Sequence, residues 1–333
     1  MFKYFNEKNF IFLISFFLII FIFINYIHNS SEKFNVTNEG NFKLFSNLEF
    51  KDNINKKLLN EESYESILNK DCQVTGNMHD RHKVRWVKSY FLKNIFQFFD
   101  RLNSNSPYYV NILIHSFIIF ITLIFLNKTF NLNVAHIFLF LFYIAFVFQH
   151  SLGEYSYSIF EMFFLTISLL ASKKKNIILF VVTTSLAVLN RESGFIILLT
   201  WLIFNKNFKQ FFLIFIIVFL IFIFLNFKTI NCMINPKFFI PFEHQDGQVN
   251  LTDISSIGGF SFLKLLLINF LIPFGLVAYN FYKFKIKNTY FGLIVLFYLA
   301  TFIIATPLHH VAVRLILLPL IFLSFFPPKE QAN

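Results

Sequence analysis

Asn190-Arg191-Glu192-Ser193-Gly194 interrupts an apolar stretch that otherwise runs from residue 177 to residue 204. The chain around it is 56% hydrophobic and only 14% charged, which no soluble globular domain matches, so the reading is a polytopic membrane protein. At membrane depth an arginine and a glutamate would each cost about 2.5–3.5 kcal/mol if they faced lipid. They are therefore expected to face a cavity inside the protein, and an intramembrane charged pair reads by default as a functional site. The bland alternative is a self-neutralising pair that reaches one membrane surface. The flanking arms, 177–189 and 195–204, reach only about 20 Å and about 15 Å as helices. Neither crosses a hydrocarbon core of about 30 Å. Together they are expected to form a helical hairpin that dips in and returns.

Apolar runs at 10–27, 107–126, 134–149, 157–171, 210–227, 262–282, 289–306 and 311–326 supply the other spans. The expected fold is all-α, with about ten membrane helices counting the two hairpin arms. In chain order this gives an N-terminal membrane helix (1–29), a polar segment (30–106), a helix bundle (107–227), a second polar segment (228–261) and C-terminal membrane helices (262–333). The first run has basic flanks at Lys3 and Lys8 and no small-residue cleavage site after it, so it reads as a retained helix. The 54 phenylalanines rise together with Ile, Lys and Asn, as coding-sequence bias would produce, and the Asn-x-Thr triplets at Asn35, Asn127 and Asn250 fit the same bias.

The net charge of +11 has no compact basic domain to carry it, which excludes a nucleic-acid-binding reading. With the N-terminus inside, Lys128, Lys173-Lys174-Lys175, Lys206, Lys209, Lys283, Lys285, Lys287 and Lys329 all fall in cytoplasmic loops. A single long helix over 177–204 would reverse everything after it and put the lysines of 283–287 outside. The hairpin is preferred for that reason. The expected placement is a multipass membrane chain with a cytoplasmic N-terminus. The same topology gathers Asp80, His150, Glu154, Arg191, Glu192, Glu243, His244, Asp246, His309, His310 and Arg314 at or just below the outer surface, with Glu161 a little deeper.

Within the first outer segment, Val84, Val87, Phe91, Ile95, Phe98 and Leu102 recur at steps of three and four, and Arg81, Arg85 and Lys88 recur on another face, marking a helix over 84–101. This predicts an extracytoplasmic amphipathic helix in the membrane interface, with Trp86 and Tyr90 at headgroup level. Its cations suit either a diphosphate or anionic headgroups. His79, Asp80 and His82 could ligate a metal, but three ligands in four residues are crowded and no fourth is identifiable by spacing. No cofactor is implied; a divalent metal stays open. Cys72 and Cys232, both assigned outside, leave open a disulfide or two free thiols.

The order of these features resembles a group of bacterial multipass proteins built like GT-C glycosyltransferases. The shared features are a basic-aromatic interfacial segment (81–93), two helices and an outer turn at Gly153-Glu154-Tyr155-Ser156-Tyr157. A basic inner turn (172–176) and Leu189-Asn190-Arg191-Glu192 follow. That group carries Leu-Asn-Arg-Glu-Thr; here Ser193 stands in the threonine place. Val311-Ala312-Val313-Arg314-Leu315 followed by Pro319, with His309 and His310 ahead of it, resembles the group's Glu-x-Arg…Pro ending. The likeness covers roughly 79–204 and 307–320.

The resemblance implies transfer of a sugar from a polyprenyl-phosphate donor on the outer side, with a catalytic carboxylate in the first outer loop. Asp80 is the best-placed acid, with Glu32 and Glu39 closer to the first helix. There is no Asp-Asp pair, and the outer turn offers Glu154 and Glu161 where the group often has Tyr-Asp. Chemically, such a transfer needs a base for the acceptor proton, here Asp80, Glu154 or Glu192. It also needs cations for the departing phosphate, here Arg81, Arg85, Lys88, Arg191 and Arg314, assisted by His309 and His310. The expected partners are membrane lipid and the lipid-linked donor. The competing readings are a transporter or flippase of lipid-linked saccharides, for which broken helices with charges are also usual, and an oligosaccharide polymerase or ligase. No internal repeat favours the transporter.

Overall fold

The computed structural model describes residues 7–39, 91–102, 106–150, 156–234, 271–304 and 315–326. Every regular element among them is helical. In order these are α1 (Glu7–Glu39), α2 (Lys93–Asp100), α3 (Ser106–Phe130), α4 (Val134–His150), α5 (Ser156–Lys173), α6 (Ile177–Asn190), a 3₁₀ segment (Glu192–Leu199), α7 (Thr200–Asn205), α8 (Phe208–Ile234), α9 (Ile272–Lys283), α10 (Thr289–Ile304) and α11 (Leu317–Phe325). Among the described residues, three helices are long and apolar enough to cross a membrane, over residues 10–27, 107–130 and 208–225. Shorter apolar helices cover 134–149, 177–190, 193–205 and 289–299.

The centre of the bundle is α11, which contacts α3, α5 and α9. Every residue from Leu315 to Ser324 is buried, as an all-round apolar helix must be when it lies inside a bundle. Pro319 sits in the first turn of α11, where a missing N–H breaks no helical bond. Asn280 of α9 donates to Ser324 Oγ at 2.8 Å, a polar stitch in an otherwise apolar contact. At the opposite extreme, α8 exposes Phe212, Leu213, Ile216, Leu220 and Phe224.

Two helices run past the ends of their apolar runs. α1 continues to Glu39 and α8 to Ile234, because extending a formed helix adds one bond per residue without a new nucleus. Cys232 therefore lies on the last turn of α8 rather than in the polar segment after it; Cys72 is outside the described residues. The described part of the amphipathic segment is helical. Its stripe is turned outward: Phe91, Phe98 and Leu102 are exposed, while Leu92 and Phe96 are buried on the side that packs against α3.

Four helix-to-helix turns follow one recipe. A residue with positive φ ends the incoming helix: Asn131 (52°), Lys175 (55°), Lys206 (50°) and Lys285 (47°). An asparagine then caps the next helix. Asn133, Asn176, Asn207 and Asn288 accept through Oδ1 from the backbone N–H of His136, Leu179, Gln210 and Phe291 at 3.0, 3.0, 3.1 and 3.1 Å. The left-handed residue closes one helix and the Asn side chain opens the next, so each chain reversal needs only a few residues.

These turns lie on one side of the bundle and are tied to one another. Lys173 Nζ donates to the Thr129 carbonyl, joining the α3–α4 turn to the α5–α6 turn. Asn205 Nδ2 donates to the Ser172 carbonyl at 3.0 Å, joining the α5–α6 and α7–α8 turns. Asn288 Nδ2 donates to the Ile203 carbonyl at 3.1 Å and brings in the α9–α10 turn.

Candidate functional site

The break at Arg191 reverses the chain. α6 starts beside the end of α5, and Asn205 at the end of α7 returns to Ser172 of that same α5 end. Along the way Ser168 and Thr183 hydroxyls meet at 3.0 Å, Ser172 Oγ donates to the Thr200 carbonyl at 2.8 Å, and Phe180 packs on Trp201 with ring centroids 5.0 Å apart. The two arms are therefore antiparallel and both lie along α5, with small hydroxyl residues at the seams, as close helix packing inside a membrane favours.

Gly194 makes the reversal tight. A Cβ placed there would stand 2.5 Å from the Ala187 carbonyl carbon and 2.6 Å from the Val188 nitrogen, both backbone atoms of α6. Arg191 is extended (φ −164°, ψ 143°); its N–H closes α6 on the Ala187 carbonyl at 2.9 Å, and its carbonyl accepts from Gly194 N–H at 2.8 Å. The eight-residue 3₁₀ segment that follows is long for its kind, since such runs seldom exceed three or four residues and often mark functional or strained positions.

At this tip Arg191 meets Glu161 of α5. Arg191 Nη1 lies 3.3 Å from Glu161 Oε2, and Ser193 Oγ donates to Glu161 Oε1. Glu161 is 1% exposed and the Arg191 side chain 18%. Both carboxylate oxygens thus receive a hydrogen bond, one of them charge-assisted. The buried Tyr298 of α10 lies within electrostatic reach of both Glu161 and Arg191, and Asn190, the residue before the arginine, is fully buried. Two separate stretches of chain, α5 and the hairpin tip, build the bonded cluster, and α10 packs against the 3₁₀ segment beside it.

A second polar group sits one residue away along α5. Phe160 makes a T-shaped contact with the ring of His115, 5.9 Å between centroids, and Phe23 of α1 stacks on that ring at 5.3 Å. His115 Nδ1 donates to the Asn111 carbonyl at 2.9 Å, and both residues are buried in α3.

The sequence singled out Arg191 and Glu192 as a pair of neighbours. The structure gives Arg191 a partner thirty residues earlier, Glu161. Glu192 begins the 3₁₀ segment, and its side chain lies outside the described residues. Asp80, Arg81, Arg85, Lys88, Glu154, His309, His310 and Arg314 also lie outside them. Among the described residues there is no group of three or more His, Cys, Asp or Glu side chains that could hold a metal; His79, Asp80 and His82 are not among them. Ser193, His115 and Tyr298 had no part in the sequence-based site. Glu161 carried a usable signal: it is the lone acid in the run 157–171 and needs a cation from elsewhere. No protein-family model, curated protein or solved structure matches this chain.

Proposed function

We propose that this chain is a membrane glycosyltransferase that moves a sugar from a polyprenyl-phosphate donor to an acceptor on the extracytoplasmic side. The observation that carries the reading is a buried carboxylate, cation and hydroxyl joined at the tip of a reversing hairpin. Glu161 is about 16 Å along α5 from Ser172, where both arms of the hairpin end, and about 8 Å from the other end of the helix. In a bilayer with the lysine turns in the cytoplasm, that depth puts the tip in the outer half of a core about 30 Å thick. The ten-helix count, the interfacial position of α2 and the inner-membrane location belong to this reading.

In the reaction the acceptor hydroxyl attacks the anomeric carbon, the bond from that carbon to the phosphate oxygen breaks, and the polyprenyl phosphate leaves. The hydroxyl proton passes to a carboxylate, Asp80 or Glu154 being the candidates that approach from the outer segments. Arg191 is the cation for the phosphate, with Arg81, Arg85, Lys88, Arg314, His309 and His310 as the candidates around it. Glu161 and Ser193 act as positioning residues: Glu161 holds the Arg191 guanidinium through one carboxylate oxygen and is itself held by the Ser193 hydroxyl through the other. Glu192 keeps its place as a third candidate acid at the tip.

The test is release of labelled sugar from a polyprenyl-phosphate donor by the purified full-length protein. Arg191→Ala and Glu192→Ala should each abolish release while the protein stays membrane-inserted. Normal turnover by both variants would remove the pair from the site. The reversing hairpin with a charge at its break also suits a carrier of lipid-linked saccharides. Movement of labelled donor across a vesicle bilayer without sugar release would favour that reading.

A further inference from the structure

The turn side of the bundle carries lysines in the positions where the backbone least favours them. Positive φ is the province of glycine, then asparagine. Asn131 follows that rule, yet Lys175, Lys206 and Lys285 take the equivalent place in the other three turns, although asparagine is plentiful in this chain. All three lysines are exposed. The turns hold further lysines, and the stretches 127–133, 173–176, 205–209 and 283–288 contain no Asp or Glu. The hydrogen bonds from Lys173, Asn205 and Asn288 tie these stretches into one platform, so the charges act on one face rather than on four independent loops. Lysine at a helix C-terminus also complements the helix dipole. That alone does not explain why each tolerates a left-handed backbone.

We propose that this platform is a binding surface for anionic phospholipid headgroups of the leaflet on the turn side. The ring of exposed apolar side chains just inside it, Ile178, Phe208 and Phe212 among them, fits acyl chains immediately below a headgroup layer. The platform lies at the end of α5 opposite the Glu161 cluster, so it is separate from the proposed catalytic chemistry and rests only on the membrane reading of the helices.

The experiment is native mass spectrometry of the full-length protein titrated with phosphatidylglycerol or phosphatidylcholine at low ionic strength. Wild type should retain phosphatidylglycerol in preference to phosphatidylcholine. The triple variant Lys175→Asn, Lys206→Asn, Lys285→Asn keeps a residue suited to positive φ, as Asn131 demonstrates, and removes three charges. It should bind phosphatidylglycerol on the order of a hundredfold more weakly, with phosphatidylcholine retention unchanged. A second variant, Lys174→Gln, Lys209→Gln, Lys287→Gln, leaves every left-handed position intact and should weaken the same binding. Equal retention of the two lipids by wild type overturns the proposal. So does unchanged phosphatidylglycerol binding in both variants, or displacement of the lipid by an RNA oligomer that the protein prefers. Sugar release by the variants in phosphatidylcholine is a separate readout, and its loss or survival tests the glycosyltransferase reading alone.

Discussion

Glu161 and Arg191 stand thirty residues apart in sequence and meet at 3.3 Å, because the chain turns back on itself between Asn190 and Gly194 and lays the tip against α5. The contact fixes the tip of the hairpin to α5 at the level of Glu161. It also gives each charge a reason to be in an apolar bundle. Glu161 is nearly inaccessible and would be stranded without the guanidinium and the Ser193 hydroxyl.

Removing either charge should therefore cost more than removing both. Glu161→Met or Arg191→Met alone breaks the Glu161–Arg191 bond from one side, a change for which about 3–5 kcal/mol is usual in a buried pair. The double variant Glu161→Met, Arg191→Met should recover most of that loss. Thermal unfolding of the four proteins in one detergent measures it. Additive single-variant losses would mean that the pair is not coupled.

Ser193→Thr should be close to neutral, because threonine keeps the hydroxyl that donates to Glu161 and the position is only partly buried. Ser193→Ala should cost about 1.5–3 kcal/mol, the range for a hydrogen bond to a charged group. Denaturation midpoints of the two variants separate a bonding role for the oxygen from simple space filling, which would leave alanine as stable as threonine.

The hairpin was legible because its arms are too short to span and its break is charged. Those are statements about length and solvation, which sequence carries directly. The partner of Arg191 was harder. Adjacent residues look paired on paper, whereas the partner the structure shows for Arg191 is an acid thirty residues earlier on another helix. Gly194 lay inside the quoted motif without a role, since its need is a clash with the α6 backbone that exists only after folding. The asparagine caps were hidden for another reason. In a chain rich in Asn and Lys by coding bias, Asn133, Asn176, Asn207 and Asn288 do not stand out until the turns they cap are seen together.

Gly194→Ala tests the tightness of the reversal. The added carbon would meet backbone rather than a flexible side-chain end, so relief requires the tip to move away from α6. Overpacking of this kind costs about 1–3 kcal/mol and sometimes more. The expected result is a lower unfolding temperature together with loss of whatever activity depends on Arg191, since the arginine moves with the tip. An alanine variant with wild-type stability and activity would show that the two arms are held apart in the membrane.

The last prediction is topological. Asn205–Ser172 and Asn288–Ile203 bonds tie the α5–α6, α7–α8 and α9–α10 turns to one side, and the Lys/Arg rule assigns that side to the cytoplasm. A cytoplasm-active reporter fused after Asn176 and after Ile286 should give signal at both positions, and a periplasm-active reporter should give signal at Asn60 and Gln245. The two cytoplasmic fusions are the sharper half of the test. If residues 177–204 formed one continuous span, the chain would cross once more between them and the two signals would fall on opposite sides. Opposite signals would undo the hairpin and, with it, the proposed placement of Glu161 and Arg191 in the outer half of the membrane. Matching signals with the reverse polarity would keep the hairpin and move the site to the other face of the membrane.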